Sequence, residues 1–167
     1  MTDWTIDTLT IPGSRARIGL CPYPGSSGSL SDDLEALRDW GARGLLTLIE
    51  DKEFAPLGVT SLPEKVAGLG MHWWHLPIRN MDTPDENFEI RWRETGKELH
   101  SLLNDGISIA LHCHGGLGRT GTIAARLLVE LGTHPTLAIE RVRTARPGSI
   151  ETIPQEQFIH HCKPPHP

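Results

Sequence analysis

The chain is short of cysteine, of positive charge and of long apolar runs, and each shortage removes a class of protein. Three cysteines, Cys21, Cys113 and Cys162, are too few and too scattered for a disulfide framework. Reduced thiols and a cytoplasmic setting are expected instead. Sixteen Lys and Arg stand against 21 Asp and Glu, a net charge of -5. Nucleic-acid binding would want a basic stripe, so it is not expected. No apolar stretch approaches a membrane span. The opening Met1-Thr2-Asp3-Trp4 has neither a basic n-region nor an apolar h-region, so no secretory signal is expected. What remains is 167 residues, 38% hydrophobic and 22% charged, with no repeat and no dividing linker. That is the composition of one globular domain able to bury its own core, and a monomer is the expected state.

Short apolar runs alternate with helical patterns along the chain. Thr5 to Thr10 reads as an edge strand, Arg17–Cys21 as a strand stopped by Pro22 and Pro24, and Pro24 to Ser29 as a loop. A helix follows, with Ser31 as its expected cap, Asp32, Asp33 and Glu35 in its first turn, and Gly41 at its end. Leu45–Ile49 is a buried strand by its length, and Glu50 to Gly58 reads as an acidic pair and a loop through Phe54 and Pro56. Leu62–Leu69 suggests a short helix and Met71–Ile78 another strand, closed by the loop Arg79 to Asp82. Thr83, Pro84 and Glu86 then look like a capping box opening a helix that ends near Asn104-Asp105-Gly106. After the strand Ser108–His112 come a helix stopped by Gly132, a helix from Pro135 broken at Arg146-Pro147-Gly148, and a last helix from Pro154 to His161. Strands alternating with helices predict an α/β domain. Its sheet is mostly parallel and covered by helices on both faces, with ligands bound at the carboxyl ends of strands.

Such an end is occupied by His112-Cys113-His114-Gly115-Gly116-Leu117-Gly118-Arg119-Thr120. Glycines at 115, 116, 118 and 121 let successive N–H groups turn inward at a helix N-terminus, which makes a nest for an anion. His114, Gly115, Gly116, Leu117 and Gly118 would bind phosphate with their backbone, and Arg119 would offer a planar fork to two of its oxygens. A thiol in this field is held as thiolate, and a thiolate beside a phosphoryl group is an activated nucleophile. Thr120 is placed to donate its hydroxyl proton to the Cys113 sulfur, and His112 to order the loop from behind. No cofactor and no metal are needed.

Nucleophile, five-residue spacer, arginine and hydroxyl together resemble the active-site loop of the cysteine-dependent protein tyrosine and dual-specificity phosphatases. Leu20-Cys21-Pro22-Tyr23-Pro24-Gly25, His75-Leu76-Pro77-Ile78 and Ile150-Glu151-Thr152-Ile153-Pro154-Gln155 extend the resemblance to the cyclin-dependent-kinase-associated phosphatase group, over about residues 15–160. The resemblance implies a single phosphatase domain, expected across residues 1–167 with its core at about 15–160, and the proline-rich end, 163–167, reads as a mobile tail. The resemblance also implies hydrolysis of phosphotyrosine or phosphoserine/threonine in proteins, and no metal. That group places an acidic aspartate two residues after the Pro-Ile pair, where this chain has Asn80. Asp85 has a use in the first helical turn, so Asp82 is the expected general acid. The alternatives are a capping or solvent-exposed Asp82 and an enzyme slowed by lack of an acid. Gln155 is the family-like candidate for positioning the hydrolytic water, or else a solvated residue of the last helix. Glu151 stands where some relatives carry an amide.

Other readings compete. An intact loop with weak chemistry would make a phosphate-recognising module, and the substrate could be a non-protein phosphomonoester, although residues 114–118 lack the lysines that inositol-phosphate enzymes place there. Rhodanese-type sulfur transfer fits the Arg119-Thr120 ending less well. Metal ligation by His112, Cys113 and His114, or by His160, His161, Cys162 and His166, leaves the glycines unexplained or falls in a terminal tail. Trp73 and Trp74 divide between the faces of a strand. Arg79 and Arg146 either flank the phosphate pocket or lie on the surface. Cys21 is either a free buried thiol or a resolving partner for oxidised Cys113.

Overall fold

The computed structural model describes residues 4–165; expectations placed on Met1 to Asp3, His166 and Pro167 lie outside them. Five strands, β1 (Asp7–Thr10), β2 (Arg17–Cys21), β3 (Gly44–Thr47), β4 (His72–His75) and β5 (Ile109–His112), form one sheet in the order β1-β2-β5-β3-β4. The edge strand β1 is antiparallel to β2, and all other pairs are parallel. Among the described residues seven helices accompany the sheet: α1 (Leu30–Trp40), α2 (Asp51–Leu57), α3 (Leu62–Gly68), α4 (Glu86–Asn104), α5 (Gly118–Glu130), α6 (Pro135–Ala145) and α7 (Ile153–His161). The expected mostly parallel α/β domain is what forms.

The central strand β5 is buried along its whole length. It reads as an unbroken apolar run because parallel strands are covered on both faces. α5 is buried from Gly118 to Val129, packs on β2 and β5, and is covered in turn by α6 and α7. A helix covered nearly all round must pair the charges it carries, and Arg119 and Arg126 are both paired with carboxylates. α1 and α3 form a second group, with Trp40 of α1 over Gly19 of β2 and α3 beside β4. Register puts Cys21, His112 and Thr47 in one row at the carboxyl ends of three adjacent strands.

Three local expectations are corrected. α1 is capped by Ser29, whose side chain accepts from the Asp32 N–H, and not by Ser31. The buried Asp33 carboxylate accepts from the Gly25 and Ser27 N–H groups at 2.7 and 3.3 Å, which draws the helix start back over the preceding loop. The stretch after β3 is the helix α2 and not a loop. Glu50 and Glu53 form its capping box, and Pro56 and Gly58 fall in its last turn and at its C-cap, where breakers are tolerated. α4 is capped by Asp85, which accepts from Phe88 N–H at 2.8 Å, and not by Thr83. Aspartate is the stronger cap of the two.

Candidate active site

The loop between β5 and α5 has its carbonyl groups tied outward, one after another. His112 Nδ1 contacts the Cys113 carbonyl at 2.9 Å, and Tyr23 N–H donates to the His114 carbonyl at 3.0 Å. Arg146 donates to Gly115 and Gly116 through Nη2 and Nε, at 2.8 and 2.9 Å. The Leu117 carbonyl accepts from Gly121 and Ile150, each at 3.0 Å, and the Gly118 carbonyl from Thr122 Oγ1 at 2.7 Å. The N–H groups of His114 to Gly118 donate to no acceptor among the described residues. With the carbonyls engaged elsewhere, these amides are left free at the α5 N-terminus, as an anion-binding nest requires. Gly116 is required there: its φ is +73°, and a Cβ would collide with the Cys21 carbonyl. Cys113 is almost wholly buried at the base, while His114 is exposed at the mouth with its ring 5.4 Å from that of Tyr23.

His112 is tied to the loop by a defined chain of hydrogen bonds. A carbonyl can only accept, so Nδ1 carries the proton given to Cys113 O. Burial pushes the imidazole down to about 4, so it is neutral at pH 7 and Nε2 is an acceptor. Thr47 Oγ1, 2.7 Å away, donates to Nε2 and itself accepts from Trp73 Nε1–H at 2.8 Å. The chain of bonds therefore runs back from His112 through β3 to β4. Trp74, on the opposite face, is buried and donates to Glu98 at 3.2 Å.

Arg119 is only 1% exposed and is gripped from two sides. Nη1 and Nη2 donate to the two oxygens of Glu53 at 2.8 and 3.0 Å, and Nη1 also donates to the Ile78 carbonyl at 3.0 Å. Three of the five donors are thus used. Those left, Nε–H and the second Nη2–H, lie side by side on one edge of the fork, the geometry that takes two oxygens of one phosphate. Burial would raise the Glu53 carboxyl, but hydrogen bonds from Arg119 and from the Glu50 N–H hold it below the ordinary value. The same Glu53 oxygen that pairs with Arg119 accepts from Glu50 N–H at 2.7 Å. The capping box of α2 therefore fixes the arginine's partner. Sequence reasoning missed Glu53 along with α2; its signal was the Glu50-x-x-Glu53 spacing ahead of Phe54. It also missed Thr47, a single hydroxyl in an apolar run.

The remaining site residues sit in a second layer or on the rim. Thr120 Oγ1 is buried and without a hydrogen-bond partner, so the expected bond to the Cys113 sulfur is not made in this conformation. Asp82 lies exposed on the turn after β4, with its carboxylate accepting from Thr83 N–H at 2.8 Å and its own N–H bonded to Arg79 O at 3.0 Å. Arg79 and Asn80 on this turn are exposed as well. Gln155 is fully buried rather than solvated. Its Oε1 accepts from Glu151 and Thr152 N–H at 2.9 and 3.2 Å, and its Nε2 donates to the Asp82 carbonyl at 3.1 Å. Arg146, besides bracing the loop, pairs with Asp7 at 2.9 Å. Cys21 is a free, buried thiol that burial pushes far above its ordinary range; its Sγ faces the Leu111 carbonyl at 3.7 Å. Among the described residues no cluster of three or more His, Cys, Asp or Glu could hold a metal ion.

Comparison with known proteins agrees with this geometry. Residues 19–133 match the family described as "Polymorphic toxin system, DSP-PTPase phosphatase". The chain is 31% identical over 154 residues to cyclin-dependent kinase inhibitor 3 of Rattus norvegicus, covering 87% of this chain and 71% of that protein. It is 28% identical over 134 residues to human receptor-type tyrosine-protein phosphatase H, covering 77% of this chain and 11% of that protein. Its fold is similar to a crystal structure of kinase associated phosphatase (KAP) in which serine replaces the catalytic site cysteine. The TM-score is 0.84 at 28% identity, covering 96% of this chain and 94% of that one.

Proposed function

The chain belongs to the dual-specificity and tyrosine phosphatase family, and from that premise we propose how this member carries out its reaction and on what. Members of this family are protein phosphatases that work through a catalytic cysteine, and this chain is one of them. The substrate is a protein carrying phosphotyrosine, phosphoserine or phosphothreonine. The likeness to a kinase associated phosphatase directs the first phosphopeptide panel to protein-kinase sequences. No helix among the described residues is long and apolar enough to cross a membrane. A nucleophilic thiol that must stay reduced suits a cytoplasmic setting. Residues 1–167 act as one catalytic domain.

The reading rests on one observation: carbonyls 113–118 are all hydrogen-bonded while amides 114–118 are left free in the loop that begins at Cys113. Amides 114–118 and the free edge of Arg119 hold the three non-bridging phosphate oxygens. Cys113 Sγ attacks phosphorus, forming an S–P bond as the ester P–O bond breaks. Asp82 gives its proton to the departing oxygen, a contribution of about 10²–10⁴ in rate for such groups. Gln155 serves this step by holding the Asp82 turn against α7. Water then releases phosphate, and Thr120 donates to the departing thiolate.

Replacing Cys113 tests the reading. Cys113→Ser should lose hydrolysis of p-nitrophenyl phosphate while still binding phosphopeptide, so that it traps its substrates. Turnover that survives in Cys113→Ser overturns it. Phosphopeptide binding by a wild-type protein that never turns over would overturn it in favour of a recognition module.

A further inference from the structure

Glu151 brings a second carboxylate to the rim of the phosphate loop. It is presented there by Ile150, whose φ of +62° lies in the left-handed region although the residue is β-branched and buried. Such a conformation costs about 1–3 kcal/mol and persists only where its surroundings over-determine it. Here they do. Ile150 N–H donates to the Leu117 carbonyl at 3.0 Å, and Arg143 donates to the Ser149 and Ile150 carbonyls at 3.1 and 3.0 Å. Beyond the kink, Glu151 N–H is fixed to Gln155 Oε1. The carboxylate is thereby aimed at the first residue of α5: a Cβ on Gly118 would stand 2.5 Å from Glu151 Oε1. Glycine at 118 leaves the room that this carboxylate occupies.

The Glu151 carboxylate forms no ion pair and no side-chain hydrogen bond among the described residues, and the residue is exposed. A negative charge beside a loop that must bind phosphate opposes the substrate. The helix dipole would favour any anion here, but that alone does not account for a strained backbone holding one. Gln155 also joins this carboxylate to the other. Its Oε1 fixes the backbone of Glu151 and its Nε2 the backbone of Asp82, so one buried amide anchors both segments. An unpaired carboxylate held beside Gly118 of the loop is a proton acceptor for an attacking water.

We propose that Glu151 is the general base for the second half of the reaction, resting on the phosphocysteine reading above. Water attacks the phosphorus of phospho-Cys113. An O–P bond forms, the S–P bond breaks with its electron pair returning to Cys113 Sγ, and the proton leaving the water goes to the Glu151 carboxylate. Asp82 serves the first half, Glu151 the second.

Rapid-quench kinetics with p-nitrophenyl phosphate on full-length Glu151→Gln and Glu151→Ala decides the matter. Because kcat/KM reports steps up to formation of the phosphoenzyme, it should stay within about twofold of wild type. In contrast, kcat should fall about 10²-fold, within the usual range for general-base loss. A burst of p-nitrophenol close to one equivalent should appear, with phosphoenzyme recovered after acid quench. Glu151→Asp, which keeps the carboxylate, should regain part of kcat. The inference is overturned if Glu151→Gln turns over like wild type, or if kcat and kcat/KM fall together without a burst. Those results with an inactive Cys113→Ser remove only the base; turnover in Cys113→Ser removes the phosphocysteine reading as well.

Discussion

At Thr47 a single hydroxyl completes the hydrogen bonding of His112. With Nδ1–H given to the Cys113 carbonyl and the ring neutral, Nε2 can only accept, so Thr47 donates to it while accepting from Trp73. Thr47→Val would leave a buried Nε2 and a Trp73 N–H unpaired, at about 1–3 kcal/mol for each group. Urea unfolding should show a loss of about 2 kcal/mol or more. The neutral state of His112 also has a pH signature. Its folded pKa of about 4 lies below the unfolded value near 6.5, so the unfolded chain binds more protons in that window. Stability therefore falls as pH drops from about 6.5 toward 4, by up to about 3 kcal/mol from this group, and no further below. Comparing wild type with His112→Gln across that range isolates the effect: the difference between their unfolding free energies should shrink as pH falls. Glu53 makes a parallel case. Glu53→Gln leaves the buried Arg119 guanidinium without its counter-charge, which should cost about 3 kcal/mol and weaken vanadate inhibition.

Between elements, the phosphate loop is held by supports from distant parts of the chain. Arg146, at the end of α6, ties two loop carbonyls while Asp7 of β1 holds its guanidinium. Arg146→Met frees those carbonyls to turn inward, where they repel an oxyanion. Inhibition by inorganic phosphate should weaken about tenfold, with overall secondary structure unchanged by circular dichroism; an unchanged inhibition constant would show that the loop holds its shape alone. Asp7→Asn should produce a smaller change of the same sign. This brace was only half legible in the sequence. Arg146 stood out as a candidate near the phosphate, but nothing in the residues around it pointed to Asp7, 139 positions away. By contrast β2, β5 and α5 could be read directly, because burial on both faces leaves an apolar run and a glycine loop no other use. α2 was hidden because Pro56 inside its seven residues and Gly58 just after them read as breakers, although both fall where a helix can end. The cap of α4 was misjudged because Thr83-Pro84 and Asp85 each make a good start, and the stronger cap, Asp85, is the one used.

For the whole molecule, the site is spread over almost all of the sequence that the structure describes. Asp7, Thr47, Glu53, Ile78, the 112–120 loop, Arg146 and Gln155 converge because one sheet places the ends of β2, β5 and β3 in a row. Opening α2, the end of α6 or the Ser149–Ile150 turn would loosen a contact to Arg119 or to a loop carbonyl. Oxyanion binding should therefore be linked to global unfolding and not to a local lid. Tungstate at 100 times its dissociation constant should stabilise the chain by about 2.7 kcal/mol through mass action. Tryptophans 4, 40, 73, 74 and 92 report from both sheet edges and from α4. Their fluorescence and far-ultraviolet circular dichroism should follow one coincident transition, with and without tungstate. In Arg119→Lys the tungstate increment should nearly vanish, since an ammonium offers no side-by-side pair of donors. Two separable transitions, or an increment confined to one probe, would mean that the catalytic loop belongs to a subdomain. The brace from Asp7 to Arg146 and the ion pair from Glu53 to Arg119 would then be too weak to couple the site to the sheet.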